Sequence, residues 1–193
     1  MRRIAWIVTA ALAASAPRAA SADDLPRGRL GIVVGLRNGL GELADDYGLG
    51  YVYGVDAGWQ LTSTDRRWGL AVHWSILWAD FDWLGEWGLD PASVTGQLDV
   101  LELDGGLRLR VAPRADIGRY LTVSASGSLL RSNVPLPPAS KRSYFGPALG
   151  LGVEQYFASG SVLVSAEVRY GIIEIVDPVP GSVSFFIGTA FGI

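Results

Sequence analysis

The chain has 193 residues, 49% of them hydrophobic and only 18% charged, with 25 glycines, seven tryptophans and no cysteine. Soluble domains carry roughly 25% charged residues, so this composition argues against a disordered chain, a charged coiled coil and a basic nucleic-acid-binding surface. Without cysteine there is no disulfide framework, no thiolate metal site and no lipid-anchored thiol.

Residues 1–22 have the form of a secretory signal. Arg2 and Arg3 open it, an apolar run extends from Ile4 to Ala16, and Ala20-Ser21-Ala22 supplies the small residues for cleavage before Asp23. The run is too short for a membrane-spanning helix, which needs ~20 residues. Losing Arg2, Arg3 and Arg18 takes the formal charge from −3 to −6, and nothing then favours nucleic acid as a partner. Every later apolar stretch is interrupted within a few positions. Entry into a membrane therefore requires a closed barrel of strands, since hydrocarbon offers no partner to a free N–H or C=O. The expected organisation is a signal peptide over 1–22 and one exported barrel domain over 23–193.

Eight segments alternate with the period of two that marks strands. Arg29–Arg37 puts Leu30, Ile32, Val34 and Leu36 on one face, and Tyr47–Leu61 adds Leu49, Tyr51, Tyr53, Val55, Ala57, Trp59 and Leu61. Trp68–Ala79 contributes Trp68, Leu70, Val72, Trp74, Ile76 and Trp78; Gln97–Ala112 contributes Leu101, Leu103, Gly105, Leu107, Leu109 and Val111. Tyr120–Ser132, Tyr144–Ala158, Val162–Ile173 and Ser182–Ile193 continue the series with residues such as Val123, Leu151, Phe157, Val168, Tyr170, Phe185 and Phe191. Gln155 and Thr189 are its polar interruptions, and a slip in the alternation at Val100-Leu101 suggests a β-bulge there.

The opposite face holds glycines, small polar residues and nine charges: Arg37, Asp56, Glu102, Asp104, Arg108, Arg110, Glu154, Glu167 and Arg169. A soluble ligand carrier would turn the apolar face inward, and an outer-membrane barrel would turn it to lipid. Volume decides between them, because an eight-stranded barrel has an interior only just wide enough for side chains to fill. The bulky set would overfill it; glycine, serine and a nearly balanced group of ion pairs would fit. The expected fold is an all-β, closed, eight-stranded antiparallel up-and-down transmembrane barrel, with those nine charges as an interior ion-pair network. Short connections at one end and longer ones at the other follow the outer-membrane pattern. The aromatics form two girdles: Trp59, Trp68, Phe157 and Phe191 near the periplasmic ends, and Tyr51, Tyr53, Trp74, Trp78, Tyr170 and Phe185 near the outer ends.

These features resemble the small outer-membrane barrels of the OmpA/OmpX/OmpW type over the whole mature chain. The last strand carries the resemblance most locally, through Phe185, Ile187, Phe191 and Ile193, although the family's terminal aromatic is here Ile193. The resemblance implies a monomer of the Gram-negative envelope, porin-like in architecture, inserted by the barrel-assembly machinery among outer-membrane lipid and lipopolysaccharide. It implies a structural or surface-interaction role. The OmpW type also implies an alternative, a narrow conduit for small hydrophobic molecules.

Candidate chemistry is sparse. His73 and Ser75 share the polar face, and a base beside a nucleophile resembles the His-x-Ser of lipid A deacylating barrels; the asparagine that follows there is Ile76 here. The expectation is that the pair fills space and that the chain is not an enzyme. Gly39–Ala44 mimics a dinucleotide fingerprint but leads into a strand rather than a helix, and there is no Walker loop or HExxH motif, so neither cofactor nor metal is expected. An acidic loop is expected over Asp80–Pro91, with Asp80, Asp82, Glu86 and Asp90 read as solvated, Phe81 among them, and Trp83 and Trp87 extending the girdle. Val134–Pro138 reads as a stiff loop apex beside Lys141 and Arg142, which are placed to meet lipopolysaccharide phosphates.

Overall fold

In the computed structural model the described residues are 26–39, 49–62, 68–82, 97–112, 119–136, 141–157, 161–172 and 181–193. The signal segment, the loop after Gly39, the Trp83–Pro91 stretch and Pro137-Pro138 lie outside them, as do the side chains of Asp82, Lys141 and Arg142. Eight strands follow one another: β1 (Gly28–Gly39), β2 (Gly50–Gln60), β3 (Trp68–Asp82), β4 (Gln97–Val111), β5 (Arg119–Leu136), β6 (Lys141–Phe157), β7 (Val162–Gly171) and β8 (Ser182–Gly192). Each pairs antiparallel with its neighbours in sequence, and β1 pairs with β8 to close the barrel. Closure leaves no free strand edge. Both ends of the described chain meet at one rim, where Gly28 and Ile193 exchange N–H···O bonds of 3.2 and 3.0 Å. This is the terminal end, and the opposite rim is the loop end.

Register fixes the shape. Followed across the strands from Gly28, the Cα partners are Trp59, Val72, Leu107, Ala125, Leu149, Tyr170 and Val183, and the path returns to β1 at Asn38. A stagger of that size over eight strands corresponds to a tilt of about 40°. At this tilt the opposing walls stand close together, so the lumen admits bulk at few positions. Neighbouring strands crowd as well: a Cβ on Gly106 would lie 2.5 Å from Cα of Ser126, its register partner on β5, and against the Ala125 carbonyl.

The faces separate sharply. Leu30, Ile32, Tyr51, Trp59, Leu107, Leu149, Leu151 and Phe191 are among the large apolar side chains exposed on the outside, while most arginines and carboxylates of the strands are buried inside. Arg119, Arg131 and Asp99 are outward-facing charges, and they stand at the rims.

The interior is not uniformly polar, and here the structure goes beyond the alternation. At the loop end, Val52, Leu77, Ala79, Phe81, Val100, Tyr144 and Phe186 form an apolar cap. At the terminal end, Ala112, Tyr120, Tyr156, Leu163 and Ala190 form a second, with Tyr120 and Tyr156 edge to face at 5.8 Å. A large apolar side chain withdrawn from water contributes about 1.5–3 kcal/mol, so both caps add to the stability of the closed state. Phe81 therefore belongs to the lumen and not to an acidic loop.

The loop-end cap also explains why no bulge occurs at Val100-Leu101. The β3–β4 ladder runs unbroken from Trp68↔Val111 to Asp82↔Gln97. Val100 is an apolar residue facing inward, so it sits beside outward Leu101 without any register slip. The irregularity lies instead between Arg131 and Leu136 in the β5–β6 pairing.

Candidate functional site

Between the two caps lies a layer of charge. Arg29 of β1 reaches across the lumen to Glu154 of β6 at 2.5 Å and to Asp56 of β2 at 3.2 Å. Glu154 also receives Arg108 of β4 at 3.0 Å and Arg110 at 2.8 Å, so one carboxylate joins three guanidiniums. Arg108 continues to Glu167 of β7 at 2.6 Å, Glu167 to Arg169 at 3.0 Å, and Arg169 to Asp104 at 3.2 Å. Arg37 of β1 pairs with Glu102 of β4 and donates to Ser184 Oγ at 2.9 Å. Alternation is the local cause: each of these residues has the parity of the inward face of its strand.

All nine expected charges point inward, and Glu154 bridges Arg108 to Arg110, while Arg37 and Glu102 form a separate pair. The sequence reading missed Arg29, which completes five arginines against five carboxylates. Its signal was available, since Arg29 stands two residues before Gly31 on the same face. It also missed Gln60, whose Oε1 accepts from Arg110 at 2.8 Å. The guanidinium of Arg110 lies 5.7 Å from the Tyr156 ring centre and that of Arg169 lies 5.0 Å from Phe186, so each cap touches the charged layer through a cation–π contact.

His73 and Ser75 are both buried on the inward side of β3. His73 Nδ1 stands 3.7 Å from Asp104 Oδ1, beyond hydrogen-bonding distance, and neither ring nitrogen has a hydrogen-bond partner in the protein. Ser75 Oγ is likewise unpartnered. No group of three or more metal-ligating side chains occurs among the described residues.

The outward aromatics divide by height. Trp59, Trp68, Phe157 and Phe191 lie toward the terminal end, and Tyr51, Tyr53, Trp78, Tyr170 and Phe185 toward the loop end, where Tyr53 stacks on Trp78 at 6.3 Å. Trp74 belongs to neither group. It is six residues above Trp68 and four below Trp78, next to Gly105 and Ala57 in register, which places it between the bands. Phe145, 56% exposed near the loop end of β6, is an outward aromatic that the sequence reading omitted.

A closed sheet with apolar residues outside, charges inside and a stagger of ten over eight strands settles the architecture. The fold is that of the small eight-stranded outer-membrane barrels. Among solved structures, the chain is similar to Neisserial surface protein A, with 12% identity over 86% of this chain and 97% of that one and a TM-score of 0.62. It is also similar to the N-terminal β-barrel domain of Pseudomonas aeruginosa OprF, with 14% identity over 86% and 97% of the two chains and a TM-score of 0.50. The outer membrane enzyme PagL gives 14% identity, 86% and 99% coverage and the same TM-score, 0.50. No family model and no curated protein sequence matches the chain. Outer-membrane barrels of this kind share a scaffold that carries different activities, so function must be argued from the lumen and the rims.

Proposed function

We propose that the chain is an integral outer-membrane barrel with a plugged polar interior, serving a structural or surface-presenting role, with its terminal end in the periplasm. The observation that carries this reading is the filled lumen: a charged layer held between two apolar caps. The two cavities described within it measure about 30 and 20 Å³. A site for a small organic molecule needs ~300 Å³ or more, so neither of these cavities has room for a hydrophobic solute in transit. The exposed apolar wall suits acyl chains, and its two aromatic bands suit the headgroup levels. Three of the four connections at the loop end, residues 40–49, 83–96 and 172–181, are longer than any at the terminal end, residues 61–67, 112–118 and 158–161, while the fourth, 137–140, is short; longer outer loops and shorter periplasmic turns are the outer-membrane pattern.

In this reading His73 and Ser75 have no catalytic task. They lie in the closed interior, out of reach of an acyl chain on the outer wall. Planar-bilayer recording of the purified barrel tests the proposal. The expected trace is flat at potentials that open porin channels; stepwise conductance in the wild type would refute the plug.

A further inference from the structure

One stretch of the outer wall departs from the run of bulky apolar side chains. At mid-height the outward positions of β4 and β5 are Gly105, Ala125 and Gly127, with Pro147 next in register on β6. Phe145 lies over Gly127, where a Cβ would stand 2.9 Å from its ring. Gly105 is open. Apart from its own chain neighbours, a Cβ there would meet only the His73 carbonyl oxygen within 4 Å, at 3.9 Å. The lipid-facing surface therefore has a hollow with Gly105 as its floor, bordered by Trp74, Leu103, Leu107 and Phe145.

Trp74 stands beside this hollow as the register partner of Gly105 on β3. It is 50% exposed, and its place between the two aromatic bands puts it at hydrocarbon depth. Its indole N–H has no hydrogen-bond acceptor among the described residues. Acyl chains offer none either, and an unbonded donor in hydrocarbon is unfavourable. The hollow contains what the indole lacks. A carbonyl oxygen has two lone pairs, of which a sheet ladder uses one, and with no side chain on Gly105 the His73 oxygen is uncovered on this side.

We propose that the hollow is the contact face of a symmetric dimer, in which the Trp74 ring of each protomer fills the Gly105 hollow of the other and donates its indole N–H to the His73 carbonyl there. Two barrels inserted in the same direction are related by an axis along the membrane normal, so ring and hollow must stand at similar depth. They do: register partners on strands about 4.8 Å apart and tilted about 40° differ in height by about 3 Å. An axis passing between Trp74 and Gly105 then sets each ring opposite the other protomer's hollow. Apolar burial alone drives no association in lipid; close approach at small residues and hydrogen bonds across the contact do. An acyl chain fills the hollow but leaves the N–H unbonded, which favours a second copy as the occupant. The dimer departs from the monomer that the architectural resemblance implies, and it stands whether or not the lumen conducts.

The test reads the oligomeric state of the full barrel in lipid bilayers. Ser161→Cys, exposed in the turn before β7, carries a donor or an acceptor dye, and energy transfer is followed as the protein is diluted in lipid. The wild type is expected to show transfer that saturates as a dimer and falls on dilution. Gly105→Leu fills the hollow from a position with open space around its Cβ and should abolish the transfer. Trp74→Phe keeps a ring but removes both symmetry-related N–H bonds; at a factor of about three for each, the association constant should fall about tenfold. This second, lipid-face substitution keeps the test open should Gly105→Leu not fold. A wild type that is monomeric at every density, or an association constant unchanged in either folded variant, refutes the proposal. In a variant retaining only Trp74, dimerisation should also shield the indole from lipid brominated deep in its acyl chains, and dilution should restore the quenching. Quenching that is complete at every density assigns the hollow to an acyl chain and overturns the dimer.

Discussion

The arrangement of ion pairs makes a prediction that differs between the edge of the network and its centre. Arg37 and Glu102 form a pair of their own, with Ser184 as a further partner of the arginine. Arg37→Leu leaves a carboxylate buried without its counter-charge, an arrangement that costs about 3–5 kcal/mol. Removing both, in Arg37→Leu with Glu102→Leu, leaves no stranded charge and puts two apolar side chains beside Leu130, so most of that loss should be recovered.

The centre should behave otherwise. Arg110→Leu with Glu154→Leu removes a pair at 2.8 Å, but Glu154 also holds Arg29 at 2.5 Å and Arg108 at 3.0 Å. Arg29 then keeps only Asp56 and Arg108 only Glu167 as ion-pair partners among the described residues. The double variant should therefore remain destabilised by about 3 kcal/mol or more. Equilibrium urea unfolding in lipid vesicles, followed by tryptophan fluorescence, reads both results. With a slope of about 2 kcal/mol per M, a loss of 3–5 kcal/mol moves the midpoint by roughly 1.5–2.5 M. The reasoning is refuted if Arg37→Leu and its double variant unfold together, or if the central double recovers as fully as the peripheral one.

Two further predictions test which side each residue faces and at what depth. Because the chain has no cysteine, Leu107→Cys and Arg108→Cys can be labelled singly; a membrane-confined maleimide should react at 107, which is 49% exposed, and leave 108 unlabelled in the folded barrel, whereas equal labelling would refute the inward assignment. For depth, variants retaining only Trp74 or only Trp68 can be compared with lipids brominated at different acyl positions. Trp74 should be quenched best by deep bromines and Trp68 by shallow ones, and identical depth profiles would refute the placement of Trp74 between the bands.

All eight strands were legible because period-two alternation is a strong signal when one face meets lipid and the other a narrow lumen. Strand ends were harder to read, as at β5, which continues past Ser132 to Leu136, beyond the alternation that marks the spanning part. The contents of the lumen were legible only by residue type. Alternation says that Arg108 and Glu154 face inward, but contact across a barrel depends on stagger, which sets the height of one strand against those facing it. Arg29 and Glu154 are 125 positions apart and on strands that are not neighbours, so no local pattern could join them.

The caps were hidden for a related reason. An inward Val100 or Tyr144 reads as a break in the pattern until its height is known. At mid-height the same side chain would displace an ion pair, whereas at an end it closes the lumen. The sequence thus uses one face for two purposes, ion pairs through most of its height and hydrocarbon concentrated toward the ends. The distinction between them lies in the stagger of the strands and not in the order of residues along any one of them.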